Sequence, residues 1–299
     1  MEREKRNAQL MKLIRAVHSV VGSEDIGKNR ISQEQMARKL GHSRDITYTE
    51  FEINGIPAQW SCVNRRHMKK YVILYCHGGG YFTGSMHYAR MITNRLAEST
   101  SMDVLCFEYR LAPEHPYPAA VDDALAVWDH LMYLGYGSRD IIVAGDSAGG
   151  NLALELGLTL KKQGRLLPRG FVLFSPWTDM TFTGKSHEVK QNVDPVLTPD
   201  YLERARSAYV GNCGLPYADD RLSPLFGDFA GFPPVYIQAG GNEMLLSDSV
   251  NLAKKLVKSN VSCKIDVYRG MWHVFQMSPF KTAYDAMDKI AEFIFDICR

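Results

Sequence analysis

Ile141-Ile142-Val143-Ala144-Gly145-Asp146-Ser147-Ala148-Gly149-Gly150 runs from a short apolar stretch, through Gly-x-Ser-x-Gly, into a segment with helical periodicity. A buried strand that turns abruptly into a helix, with a serine at the turn, is the context of a nucleophile elbow. The tight turn projects the hydroxyl, and small residues at Gly145 and Gly149 let the strand and helix approach closely. The helix that follows aims its N–H groups and positive dipole end at negative charge developing beside the serine. An ordinary glycine-rich turn shares the spacing, but the strand before and the helix after favour Ser147 as a nucleophile.

Upstream, His77-Gly78-Gly79-Gly80 follows the apolar run 71–76 directly. Three glycines in a row have no side chain to keep a backbone amide from a bound ligand. No lysine and hydroxyl residue of a phosphate loop follow them, and there is no Gly-x-Gly-x-x-Gly. The amides of Gly79 and Gly80, with that of Ala148, are therefore expected to form an oxyanion hole, with Gly78 as the alternative donor.

A serine needs a base, and imidazole titrates in the right range. On this architecture the usual chain order is serine, acid, histidine, and of the nine histidines only His273 lies beyond His187. The acid must then come from a strand end between Ser147 and His273. Glu243, just past the run 235–239, is favoured; Asp248 and Asp179 remain alternatives, the former with a simpler role as a helix cap.

The elbow sits in an alternating pattern. Apolar runs at 71–76, 104–109, 141–144, 171–174, 235–239 and 263–268 read as strands buried on both faces, which is the habit of a parallel sheet. Between them, 87–98, 119–134, 149–163, 248–258 and 282–298 read as helices, so the class is α/β in a single domain. Residues 46–53 and 56–63, joined by Asn54-Gly55, predict an antiparallel hairpin. Leu10, Leu13, Ile14, Val17, Val20 and Val21 predict an amphipathic helix ending near Gly22, followed by a short helix at 32–40. The polar stretch 181–225, with a helix at 199–210, interrupts the rhythm as an insertion.

Composition narrows the partners. Thirty-five basic against 33 acidic residues in 299 leave a net charge of +2, which gives no reason to expect nucleic acid. No apolar run is long enough to span a bilayer and the N-terminus lacks a signal-peptide core, so a soluble cytoplasmic protein is expected, without stable membrane insertion. Six cysteines without a Cys-x-x-Cys pair fit reduced thiols used in packing, and no metal site is expected.

His77 to Gly80, Tyr109-Arg110-Leu111-Ala112-Pro113-Glu114-His115, Gly145 to Gly150, Ser223-Pro224 and Pro233-Pro234 appear in the order of landmarks of the hormone-sensitive lipase family of α/β-hydrolases, which this chain resembles along nearly its whole length. The resemblance implies an eight-stranded, mostly parallel sheet with a cap built from residues 1–42 and 181–225. It also implies short-chain carboxylesterase activity on a small-molecule ester, no cofactor, and frequent homodimers through a sheet edge. One departure stands out. Many relatives carry Asp-Pro-Leu where this chain has Glu243-Met244-Leu245.

Overall fold

The computed structural model describes residue 11, residues 25–67 and residues 70–299. The amphipathic helix expected from Leu10 to Val21 lies outside the described residues, apart from Met11. The next helix, α1 (Ile26–Leu40), starts earlier than periodicity predicts because Asp25 caps it, accepting the Lys28 amide at 3.1 Å.

Asn54 and Gly55 both take positive φ, 52° and 82°, as a two-residue hairpin turn demands, and join β1 (Ile46–Ile53) to β2 (Ile56–Val63) in the predicted register. Then follow β3 (Val72–Cys76), α2 (Met86–Thr100), β4 (Asp103–Phe107), α3 (Ala119–Tyr133), β5 (Ile141–Asp146), α4 (Ala148–Lys162) and β6 (Gly170–Phe174). The insertion carries α5 (Lys185–Val189) and α6 (Pro199–Val210); β7 (Val235–Gly240), α7 (Leu246–Lys258), β8 (Cys263–Tyr268) and α8 (Lys281–Cys298) complete the chain. The eight strands form one sheet in the order β1-β2-β4-β3-β5-β6-β7-β8. Every pairing from β4 to β8 is parallel; β2 runs against both its neighbours.

The runs read as doubly buried behave so in the middle of the sheet. Val72, Leu74, Ile141 and Val143 face one apolar layer with α3, α4 and α7, while Ile73, Tyr75, Ile142 and Ala144 face the other with α2 and α8. Each fully buried aliphatic side chain contributes roughly 1.5–3 kcal/mol, so these short strands need no polar face. β8 departs from the expectation. Among the described residues it pairs only with β7, and its residues are partly exposed, Val267 to 47%. Lys264 and Asp266 inside the run are the signal: charges on an outer strand discourage edge-to-edge pairing.

β4 lies on one side of β3 and β5 on the other, so the chain reverses its winding direction between β3 and β5. The crevice beyond the carboxyl ends of two such strands is where open α/β sheets bind ligands. Here it falls between His77-Gly78-Gly79-Gly80 and Ser147.

Candidate active site

At the end of β5 the chain turns into α4 in one residue, Ser147, held at φ 54° and ψ −118°. Such a backbone costs on the order of 1–3 kcal/mol and persists only where its surroundings over-determine it. They do. The Ser147 amide donates to the Phe174 carbonyl at 2.9 Å, and the Ser147 carbonyl accepts from Gly150, Asn151 and Trp177 at 3.0–3.2 Å. A Cβ at Gly149 would stand 2.0 Å from the Cys76 carbonyl oxygen, and one at Gly145 would stand 2.3 Å from that of Gly149. Only glycine fits where strands β3 and β5 meet the helix.

Oγ of Ser147 lies 2.9 Å from Nε2 of His273. The imidazole arrives on the loop after β8, and Val274 beside it adopts the left-handed region (φ 51°), an unusual state for a β-branched residue. On the far side of the ring, Nδ1 is 3.6 Å from Oε2 of Glu243, an ion-pair separation. Glu243 is fully buried and His273 nearly so. Neither Nδ1 nor Glu243 Oε1 has another hydrogen-bond partner among the described residues. Contacts of this kind are commonly long in a free enzyme and tighten around a substrate. Burial works against the imidazolium, but the adjacent Glu243 carboxylate, helped by the charges of Asp194 and Asp146, outweighs it and holds His273 above the ordinary imidazole pKa.

The two other candidate acids are committed elsewhere. Asp248 does not cap its helix as expected. Its Oδ2 accepts the amides of Thr178 and Asp179 at 2.9 and 3.0 Å, and Oδ1 meets His187 Nε2 at 2.8 Å. Asp179 accepts from the Thr181 amide and the Thr183 hydroxyl at 2.8 Å each.

The glycine loop is shaped from below. Asp146 Oδ1 accepts from the Gly78 amide at 2.9 Å and from the Tyr75 hydroxyl at 2.6 Å. Gly78, the alternative oxyanion donor, is thereby occupied, while the amides of Gly79, Gly80 and Ala148 have no backbone acceptor among the described residues. Gly79 sits at φ 114°, where an added Cβ would press on the Thr83 carbonyl. His77 keeps to its own loop: Nδ1 lies 2.7 Å from the Gly78 carbonyl and the ring stacks on Tyr109. Burial, only partly opposed by that carbonyl, pulls its pKa down to about 4, so it is neutral. Above the loop, Tyr209 of α6 stacks on Tyr81 at 3.6 Å between centroids and Tyr201 packs on Phe82, so the inserted segment covers this end of the sheet.

Sequence reasoning does not single out Asp146, Ser175 or Asp194. The Ser175 hydroxyl donates to Glu243 Oε2 at 2.7 Å and accepts the Val274 amide at 3.2 Å. Asp194 accepts the Met244 amide at 2.7 Å and those of Val196 and Leu197 at 2.8 and 3.0 Å. For Ser175 a signal exists: a polar residue at the carboxyl end of a central parallel strand stands where ligands bind. Asp123, near the start of α3, pairs with Arg110, accepting from the Arg110 amide at 2.8 Å.

A family model of the alpha/beta hydrolase fold matches residues 73–277. An esterase of Acinetobacter venetianus is 41% identical over 224 residues, covering 74% of each chain. An acetyl-hydrolase of Streptomyces hygroscopicus is 34% identical, covering 68% of this chain and 67% of its own. Among solved structures, a hormone-sensitive lipase from a metagenome library superposes with a TM-score of 0.92 at 31% identity, covering 98% of each chain. An esterase from the bacterial hormone-sensitive lipase family does so at 0.90 and 32%, covering 96% of each. Matched by the family model over residues 73–277 and by solved structures over 96% or more of its length, the chain belongs to the hormone-sensitive lipase family of α/β hydrolases.

Proposed function

We propose that this protein is a serine carboxylesterase that hydrolyses short-chain acyl esters. Ser147 Oγ attacks the ester carbonyl as His273 Nε2 takes its proton, while Glu243 fixes the imidazole tautomer and stabilises the imidazolium. The amides of Gly79, Gly80 and Ala148 receive the oxyanion. Collapse expels the alcohol, which takes the proton from His273, and leaves Ser147 acylated. Water, deprotonated by the same histidine, then releases the acid. The observation that carries this reading is the 2.9 Å contact between Ser147 Oγ and His273 Nε2 on a strained elbow.

The short-acyl preference draws on the family resemblance and on relatives named esterase and acetyl-hydrolase. Helix α1 and segment 181–225 act as the cap over the site, and a homodimer belongs to the same proposal, drawing on the family resemblance alone. No helix among the described residues is long and apolar enough to cross a membrane. The cytoplasmic setting belongs to the same proposal and draws on the six cysteines, all of them free thiols.

Ser147→Ala is expected to lower kcat on p-nitrophenyl butyrate by about 10⁴- to 10⁶-fold, the range for loss of a nucleophile from such a triad. Near-full activity in that variant would end the proposal. A series of p-nitrophenyl esters of increasing acyl length tests the preference: kcat/KM is expected to peak at the short end.

A further inference from the structure

The acid side of the site holds a hydroxyl that the mechanism above does not use. Ser175 lies at the end of β6, between the strand carrying the elbow and the one carrying Glu243. It is fully buried and held at φ 48°. Its amide is fixed by the Gln238 carbonyl at 2.8 Å. From there Oγ donates to Glu243 Oε2 at 2.7 Å and accepts the amide of Val274, the residue after His273, at 3.2 Å. Both ends of the acid–imidazole pair therefore hang on one oxygen.

The proton directions follow from chemistry. The Val274 N–H is only a donor, so Ser175 Oγ must accept there, and its single proton is free for the carboxylate. Glu243 Oε2 is also the oxygen that faces His273 Nδ1 at 3.6 Å, whereas Oε1 has no partner among the described residues. Without the Ser175 proton, no other hydroxyl or amide among the described residues would select which carboxylate oxygen meets the ring. A buried carboxylate with one good donor is held far more firmly than one with none.

We infer that Ser175 is a positioning residue: by its short hydrogen bond to Glu243 and its acceptance of the Val274 amide, it sets the carboxylate and the histidine loop in mutual register. This rests on the assignment of Ser147, His273 and Glu243 proposed above. Ser175 touches neither substrate nor reacting atoms, and acts through Glu243.

The variant to use is Ser175→Gly, since glycine accepts the positive φ and removes only the hydroxymethyl group. Activity is read as kcat per site titrated with a p-nitrophenyl alkylphosphonate, so partial misfolding lowers the titrated fraction and not the result. We expect kcat to fall about 10- to 100-fold, the effect of losing one hydrogen bond to a buried charge, with KM nearly unchanged. The decisive comparison adds Glu243→Gln. If Ser175 works through the carboxylate, Ser175→Gly costs much less when combined with Glu243→Gln than in the parent, because residues acting as a unit are non-additive. An undiminished cost in the double variant, or full kcat in Ser175→Gly, overturns the inference while leaving the triad intact. If Glu243→Gln is itself without effect, the acid assignment and this inference fall together.

Discussion

The Gly78 amide and Asp146 Oδ1 are joined at 2.9 Å, so the residue immediately before Ser147 anchors the loop whose next two amides are proposed to receive the oxyanion. Elbow and glycine loop are thus one piece, built across β3 and β5. A displacement of one moves the other, which preserves the geometry that transition-state stabilisation needs.

That anchor has a pH signature. Burial pushes the Asp146 carboxyl up to about 6, against the hydrogen bonds from Tyr75 and Gly78 and the charge of His273. A carboxyl raised on folding stabilises fully below its unfolded pKa and loses that contribution as pH rises through the folded value, here from about 4 to about 6, at a cost of about 3 kcal/mol. Asp146→Asn, which keeps an acceptor oxygen for Gly78 and Tyr75, is expected to flatten this part of the stability profile. Urea unfolding across that range checks it; an unchanged slope contradicts it.

A second buried carboxyl gives an expectation of its own. Glu155 in α4 is only 2% exposed, and its Oε1 has no hydrogen-bond partner among the described residues. Burial, with the charges of Asp220 and Asp219, raises its pKa well above the ordinary range despite Lys162 and Arg221. Glu155→Leu removes an uncompensated polar group, and is expected to stabilise the fold by about 1–3 kcal/mol. Because the carboxyl is raised on folding, the gain grows as pH rises above its unfolded pKa near 4.3. A lower thermal midpoint in this variant at neutral pH would refute it.

In the proposed mechanism the pH dependence of catalysis follows from His273. It acts as a base only when neutral. Burial disfavours the charged ring, but Glu243, Asp194 and Asp146 overcome it and hold the pKa above 6.5. The acid limb of kcat/KM is therefore expected to lie above pH 6.5, and to move to lower pH in Glu243→Gln, which removes the strongest influence favouring the charged ring. A limb that stays in place in that variant would separate Glu243 from the imidazole.

Arg30 ties α1 to the oxyanion side. Its guanidinium donates to the Phe82 carbonyl and the Ala112 carbonyl at 2.7 Å each, and pairs with Glu114 at 2.8 Å. Lysine cannot reproduce this fork. Arg30→Lys and Arg30→Ala are both expected to destabilise by about 1–3 kcal/mol, the cost of unpairing buried carbonyls, and to expose α1 to limited proteolysis. Parent-like thermal midpoints would show that α1 is held by other contacts.

How much of the molecule is legible in its sequence follows from how local each signal is. Asn54-Gly55 sets the hairpin, because a turn of that geometry needs two residues tolerant of positive φ. Gly145, Ser147 and Gly149 mark the elbow, since close approach to the Cys76 carbonyl leaves no alternative there. His273 follows from chain order. The choice between Glu243 and Asp248 is only weighted by sequence, because five residues along the chain say nothing about which carboxylate faces the ring. Folding places Asp248 on the Thr178 and Asp179 amides and on His187. Ser175 meets Glu243 across 68 residues of sequence, and Asp194 meets Met244 across 50. No periodicity carries such a contact. The partial exposure of β8 is missed when the length of its apolar run is weighed above its interior charges.

The central claim is that Ser147 is the reacting nucleophile. It is tested most directly by inactivating the enzyme with a p-nitrophenyl alkylphosphonate and mapping the adduct by peptide mass spectrometry. The account predicts a single adduct, on Ser147, with loss of esterase activity in proportion to its occupancy. An adduct on another residue that abolishes activity, or full activity with Ser147 completely modified, would contradict it.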